Sequence, residues 1–105
     1  ILALPNPDSA VDALPLSGGR ILLAFNDSRN SREILRLAVS GDQGLHWIRI
    51  HTLENSPKQE FSYPYMIRGR NGFIHLVYTW KRKQIKHVVF NEAWVHHQIK
   101  RRLQQ

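Results

Sequence analysis

The sequence predicts an all-β fold, on the evidence of its strand-like runs and of an internal repeat. Short apolar runs alternate with segments rich in Gly, Ser and Asn, as is typical of strands joined by turns. Pairing Gly19 with Gly72 aligns residues 20–26 with residues 73–79 at an offset of 53. A repeat of about 50 residues suits a four-stranded antiparallel sheet.

The strands follow from these runs and from the turns between them. The first copy predicts strands near residues 10–16, 20–26, 34–40 and 46–52. The second copy predicts strands near residues 64–68, 73–80 and 84–90, of which the last matches residues 34–40 at an offset of 50. Residues 92–103 carry good helix formers and predict either a short C-terminal helix or a final strand over Trp94 to Ile99, because periodicity does not distinguish the two.

A turn motif follows the third predicted strand. Ser40, Asp42, Gly44 and Trp47 form the pattern S-x-D-x-G-x-x-W. The Ser and Asp side chains can bond nearby backbone, the glycine permits a positive φ, and the indole can be buried beneath the turn. We therefore expect Trp47 to be mostly buried, with Ser40 and Asp42 facing the turn and not a ligand.

This motif is an Asp box, and it resembles the Asp boxes of bacterial sialidase-like proteins with BNR repeats. The position before Trp47, where that family has Thr or Ser, holds His46. The resemblance implies a β-propeller, expected to have six blades, of which this chain supplies two four-stranded blades at the C-terminal end. The first blade would span residues 1–55. The second, with a degenerate Asp box and a basic tail, would span residues 56–105.

Several features agree with a piece of a larger propeller. A chain of 105 residues is shorter than four blades of about 40–50 residues. It begins at Ile1 and not at Met. Two blades alone would expose strand edges and half of a core, so we expect them to pack against the remaining blades or to self-associate.

The composition of the chain limits the classes of partner that it is expected to bind. The formal net charge of +7 favours anions, but seven of the 15 basic residues fall in two short stretches. Solvated turns and tails usually hold such charge, so a nucleic-acid partner is disfavoured. No apolar run has the roughly 20 residues of a membrane span. The chain contains no cysteine, so cysteine usage gives no information about its redox compartment. The basic stretches are Lys81, Arg82, Lys83 and Lys86, and Lys100, Arg101 and Arg102.

The resemblance also implies an activity, the hydrolysis of terminal sialic acid or a related sugar. Tyr63 stands where the family has its nucleophile, before the innermost strand of the last blade. A neutral nucleophile avoids repulsion by the carboxylate that sialic acid carries on its anomeric carbon. Glu60 is the nearest candidate to take the phenol proton, although the family's Glu comes from another blade. The alternative role for Tyr63 is packing before Pro64.

Four further residues are candidates for glycan binding. Asn6 and Asp12 can bond sugar hydroxyls, Trp80 can stack on a sugar ring, and Arg82 can pair with the substrate carboxylate. The alternative roles are structural, in turns or the core for Asn6, Asp12 and Trp80 and in a solvated hairpin turn for Arg82. The family holds that carboxylate with three arginines, whereas residues 5–12 contain none. A propeller that binds carbohydrate without catalysis is therefore the alternative function.

The sequence predicts no metal site and no cofactor. Its six histidines lack the spacing of a zinc site, and His96 and His97, being adjacent, would diverge on a strand. No phosphate-binding glycine loop, dinucleotide-binding fingerprint or G-x-S-x-G motif occurs.

Overall fold

The computed structural model describes residues 10–28 and 30–104, which form two antiparallel sheets and a helix. The all-β prediction is confirmed. The first sheet, in the order β1-β2-β3-β4, contains β1 (Asp12–Pro15), β2 (Ile21–Asn26), β3 (Ile34–Ser40) and β4 (Ile48–Asn55). The second sheet, in the order β5-β6-β7, contains β5 (Phe61–Arg68), β6 (Ile74–Trp80) and β7 (Gln84–Phe90). A short 3-10 turn spans Ser17–Gly19, and helix α1 spans Glu92–Leu103.

The second sheet departs from the expected four strands. It has three in the described part of the chain, and the segment after β7 forms α1, which is the helical alternative. The side chain of Asn91 caps the helix by accepting a hydrogen bond of 2.9 Å from Trp94 N. Glu92 in the first turn and three basic residues in the last complement the helix dipole.

The internal repeat is visible in the backbone. Gly19 and Gly72, which the sequence alignment pairs, lie between the first two strands of their sheets with φ angles of 78° and 84°. Residues without a Cβ adopt these angles at low cost. The matched runs form β2 and β6, each the antiparallel partner of the preceding strand.

The main hydrophobic core lies between the two sheets. Leu22 and Leu37 from the first sheet join Leu76 and Tyr78 from the second in one cluster, and each is at most 1% exposed. Val95 of α1 belongs to the same cluster, and Trp94 meets the ring of His51 on β4 edge-on at 4.9 Å. The helix thus covers the part of the seam nearest β4.

A smaller cluster lies on the opposite face of the first sheet. Leu23, Phe25 and Ala38 are buried there, and Trp47 packs against them. The indole is partly buried, and its Nε1 donates a hydrogen bond of 3.0 Å to Gly44 O. The Asp-box turn is therefore fixed to the sheet by its tryptophan.

Across the described ranges, no helix is both long enough and apolar enough to cross a membrane.

Replacement of Trp47 by Ala should lower the free energy of unfolding by about 3 kcal/mol, because the ring loses its packing on the smaller cluster. Trp47→Phe keeps much of that packing and should cost roughly half as much, including about 1 kcal/mol for the lost hydrogen bond. Urea denaturation followed by circular dichroism measures both. Leu45→Ala, at a residue of the same turn that is 58% exposed, serves as the control and should change stability by about 0.5 kcal/mol or less. Equal losses for Trp47→Ala and Leu45→Ala would contradict this role of the indole.

Candidate functional site

One end of the two sheets gathers most of the predicted site residues. The β4–β5 and β6–β7 connections meet there, since Lys81 N donates a hydrogen bond of 2.7 Å to Glu60 O. Arg82 Nε lies 3.5 Å from Glu60 Oε2, and Trp80 pairs with Phe61 across β5 and β6. Tyr63 follows on the same strand. The chain topology therefore places Glu60, Tyr63, Trp80 and Arg82 in one region.

Tyr63 has an unusual backbone and an accessible side chain. Its φ is 54°, in the left-handed region, and the residue is 63% exposed. It lies in the β-bulge where the β5–β6 register shifts between Ser62 and Tyr65. The guanidinium of Arg32 sits 5.7 Å from its ring centroid. A left-handed conformation costs a residue with a Cβ about 1–3 kcal/mol, so surrounding structure must hold it.

Hydrogen bonds on both sides of the bulge supply that restraint. Phe61 N donates to Arg32 O at 2.9 Å, and Phe61 O accepts from Asn26 Nδ2 at 2.8 Å. On the far side, Met66 N donates to Asp12 Oδ2 at 2.6 Å. The first sheet thus anchors the backbone before and after Tyr63, and the phenol is presented outward from a fixed position.

Glu60 is not engaged with Tyr63. Its carboxylate pairs with Arg82, and the two side chains are 41% and 77% exposed, so the pair contributes little to stability. No hydrogen bond joins Glu60 to the Tyr63 phenol in the described structure. The geometry brings the two predicted catalytic residues to the same region without forming a proton-transfer contact.

The predicted sugar-binding residues have other contacts. The Asp12 carboxylate accepts its bond from Met66 N and thereby links the two sheets. Trp80 is partly buried against the main core, and Lys81 Nζ lies 4.4 Å from its ring centroid. Asn6 lies outside the described residues. Neither Asp12 nor Trp80 is therefore presented openly to a ligand.

A cavity of about 360 Å³ opens beside this region. Arg32 and Glu60 contribute to its wall, so it adjoins both the Arg32–Tyr63 contact and the Glu60–Arg82 pair. Its volume falls within the range of small-ligand pockets. The remaining lining residues are Asn30, Ser31, Glu33, Lys58 and Gln59.

A second tyrosine forms a close carboxylate pair that the sequence reasoning did not identify. The Tyr78 hydroxyl donates a hydrogen bond of 2.7 Å to Glu54 Oε2, which also accepts one of 2.8 Å from Lys86 Nζ. Burial, followed by the hydrogen bond to Glu54, raises the pKa of Tyr78 far above its ordinary value. Tyr78 is thus a neutral donor within the core and not an activated nucleophile.

An ion cluster on the first sheet was also missed. Asp27, with 3% of its side chain exposed, contacts Arg36 Nη1 at 2.6 Å and Arg49 Nε at 2.5 Å. Burial raises the pKa of Asp27, but hydrogen bonds and charge from Arg49 and Arg36 outweigh it and lower the pKa overall. The residues come from three separate elements, and no local spacing could reveal their contact.

The Asp-box turn lies at the other end of the sheets. Ser40 Oγ donates to Asp42 Oδ1 and accepts from Gly44 N, both at 2.8 Å. Asp42 Oδ1 also accepts from His46 N at 2.8 Å, and Asp42 Oδ2 contacts His46 Nδ1 at 2.5 Å. His46 therefore bonds the motif's aspartate through both its backbone and its ring.

The described ranges contain no group of three or more His, Asp or Glu side chains placed to hold a metal ion.

Two repeated antiparallel sheets joined face to face, with a Ser–Asp–Gly–Trp turn on one of them, define a β-repeat protein. The family model for the BNR repeat-like domain matches residues 1–76. The chain belongs to the BNR repeat-like domain family, in agreement with the BNR resemblance of its Asp box. Domains of this kind are found in sialidase-like glycoside hydrolases. The chain matches no curated protein and no solved structure.

Acid should weaken the Asp-box turn within a defined pH window. The His46 ring, then its backbone N–H and the Ser40 hydroxyl, lower the pKa of Asp42 from 3.8 to about 2. Because the folded pKa is depressed, the stabilisation is fully present above pH 3.8 and is lost as the pH falls through about 2. Carboxyl ¹³C NMR measures the titration directly.

The matched variant for this experiment is His46→Ala. It removes the hydrogen bond between the His46 ring and Asp42, which lowers the pKa most, so the pKa of Asp42 should rise towards 3.8. Titration of wild-type Asp42 near 3.8, or an unchanged value in the variant, would show that the contact with His46 does not form in solution.

Proposed function

We propose that this chain is part of a sialidase-like exo-glycoside hydrolase that acts on sialic acid or a related glycan, with Tyr63 as nucleophile. The observation that carries the proposal is the Tyr63 phenol, exposed on a restrained left-handed backbone beside a ligand-sized cavity. Membership of the BNR repeat-like family supports it. Strained residues held by surrounding structure are typical of functional sites.

The reaction would proceed in two displacements. The Tyr63 oxygen attacks the anomeric carbon, the bond to the leaving oxygen breaks, and a general acid protonates that oxygen. A base takes the phenol proton. Water then attacks the anomeric carbon and gives its proton to the deprotonated acid, while the bond from that carbon to the Tyr63 oxygen breaks. The protonated base returns its proton to the phenolate, and the sugar is released. Since Glu60 pairs with Arg82, we assign the base and the acid to carboxylates outside this chain. The 105-residue chain alone should therefore be inactive.

The second candidate is a non-catalytic carbohydrate-binding module. The Glu60–Arg82 pair favours it, because both groups that would act on the substrate already neutralise each other. The absence of arginine from residues 5–12 favours it as well. Both candidates place the glycan at the same end of the sheets, and they differ in whether a bond is broken.

A Tyr63→Phe substitution separates the two functions. In a polypeptide that joins this chain to further blades, the substitution should reduce kcat for a fluorogenic sialoside by at least about a thousandfold. The Michaelis constant should change little, because the ring remains. Tyr65→Phe, at another exposed tyrosine of β5, is the control and should retain activity. Glycan binding without turnover in the unmodified protein would exclude the hydrolase and favour the binding module.

We also propose that the exposed face of the second sheet packs against another sheet of the same repeat. The internal alignment carries this proposal. In the first sheet, Leu22 and Leu37 face the seam, and their counterparts in the second sheet are His75 and His87. In the first sheet, this face is covered by the second sheet. The equivalent face of the second sheet is uncovered in this chain.

The chemistry of this face suits such contact. Ile67, Ile85 and Val89 are between 48% and 69% exposed, although their counterparts in the first sheet face its core. The face carries no Lys, Arg, Asp or Glu, in a chain where 22% of residues are charged. Exposed apolar surfaces of this kind mark protein contacts. The residues of this face are Tyr65, Ile67, His75, Val77, Thr79, Ile85, His87 and Val89.

In the isolated chain a second copy should supply that sheet, so sedimentation velocity should show concentration-dependent association. Ile85→Lys places a charge in the face and should abolish the association, because burying an unpaired ammonium is costly. Leu45→Lys, the same kind of change at an exposed apolar residue of the Asp-box turn, should leave it intact. Persistent monomer at all concentrations, or equal effects of the two variants, would refute the contact.

A further inference from the structure

A basic groove lies along the outer edge of the first sheet, away from the Tyr63 region. It has a volume of about 340 Å³ and runs between β4 and the last turns of α1. Four of its eight lining residues are arginines. The lining residues are Arg36, Arg49, Ile50, His51, Thr52, Gln98, Arg101 and Arg102.

The positive charge of the groove is only partly neutralised. Asp27 supplies one carboxylate to two guanidinium groups, those of Arg36 and Arg49. Arg101 and Arg102 form no ion pair with any described residue. The negative end of the α1 dipole equals only about half a unit charge, so the excess remains positive.

Gln98 adds a polar group without a partner. The residue is 9% exposed and lines the groove, and its side-chain amide makes no hydrogen bond with another described residue. No buried side-chain N or O atom of the described residues lacks a partner, so the Gln98 amide is open to the solvent of the groove and can bond a ligand there. His51, across the groove on β4, offers a further N–H, since burial and then the charge of Arg101 lower its pKa and favour the neutral ring.

We propose that this groove binds a tetrahedral oxyanion, the phosphate or sulfate group of a small ester. Guanidinium forks bond such oxygens in pairs, and the four arginines of the groove leave a positive excess after Asp27 has paired with two of them. The volume exceeds that of the bare anion and leaves room for the group that carries it. This site is independent of the proposed glycosidase chemistry.

Binding to the 105-residue chain is measured by isothermal titration calorimetry at constant ionic strength, with inorganic phosphate, inorganic sulfate, glucose 6-phosphate and glucose 6-sulfate as ligands. The expected dissociation constants lie below about 1 mM, whereas chloride should give no heat. Tighter binding of one ester than of the other identifies the natural anion. Phosphate and sulfate heats that do not differ from chloride would overturn the proposal.

The variants test the groove itself. Arg101→Gln should weaken phosphate binding by about tenfold, as expected for a lost charge-assisted bond. Lys100→Gln removes the same charge from the adjacent residue, which does not line the groove, and should change affinity less than about twofold. Equal losses would reveal a general charge effect and refute the site. If circular dichroism shows that the Arg101→Gln variant is unfolded, Arg102→Gln and Gln98→Leu replace it in the comparison with Lys100→Gln.

Discussion

The apolar seam between the two sheets is the constraint on which the other features depend. Each sheet has a face that must be covered, and Leu37 and Leu76 are completely buried where the faces meet. A polar group is buried in the seam only together with its hydrogen-bond partner. The Tyr78 hydroxyl is tolerated because Glu54 accepts its hydrogen bond, and the charge of Glu54 is in turn neutralised by Lys86 at the margin of the core.

The same seam accounts for the strained backbone at Tyr63. Phe61 and Met66 both belong to the core, yet they are five residues apart. Strict alternation along a strand would place residues at an odd separation on opposite faces. One extra residue must therefore be accommodated between them, and the β-bulge does this where Tyr63 adopts its positive φ. The exposed phenol is thus a consequence of how β5 satisfies the core.

Much of the fold could be predicted, because strand periodicity and turn residues are local signals. The pairing of Gly19 with Gly72 located both hairpins, and residues 34–40 and 84–90 coincide with β3 and β7. Residues 92–103 carry no decisive period, so their sequence does not distinguish a helix from a strand, and capping by Asn91 favours the helix. Contacts between separate elements leave no local pattern in the sequence, so local signals do not predict them. Arg36 and Arg49 meet Asp27 only after three strands have paired.

The carboxylates connect the candidate site with the basic groove. Each described Asp or Glu is already engaged by a hydrogen bond or an ion pair within the chain. Because these acids hold turns, sheets and the helix together, they are poorly placed to transfer protons or to neutralise the surplus of arginine and lysine. The acid and base of the proposed hydrolase, and the counter-charge for the proposed anion site, are therefore expected from outside the described residues. The same use of carboxylates within the fold thus bears on both regions, although neither proposal depends on the other.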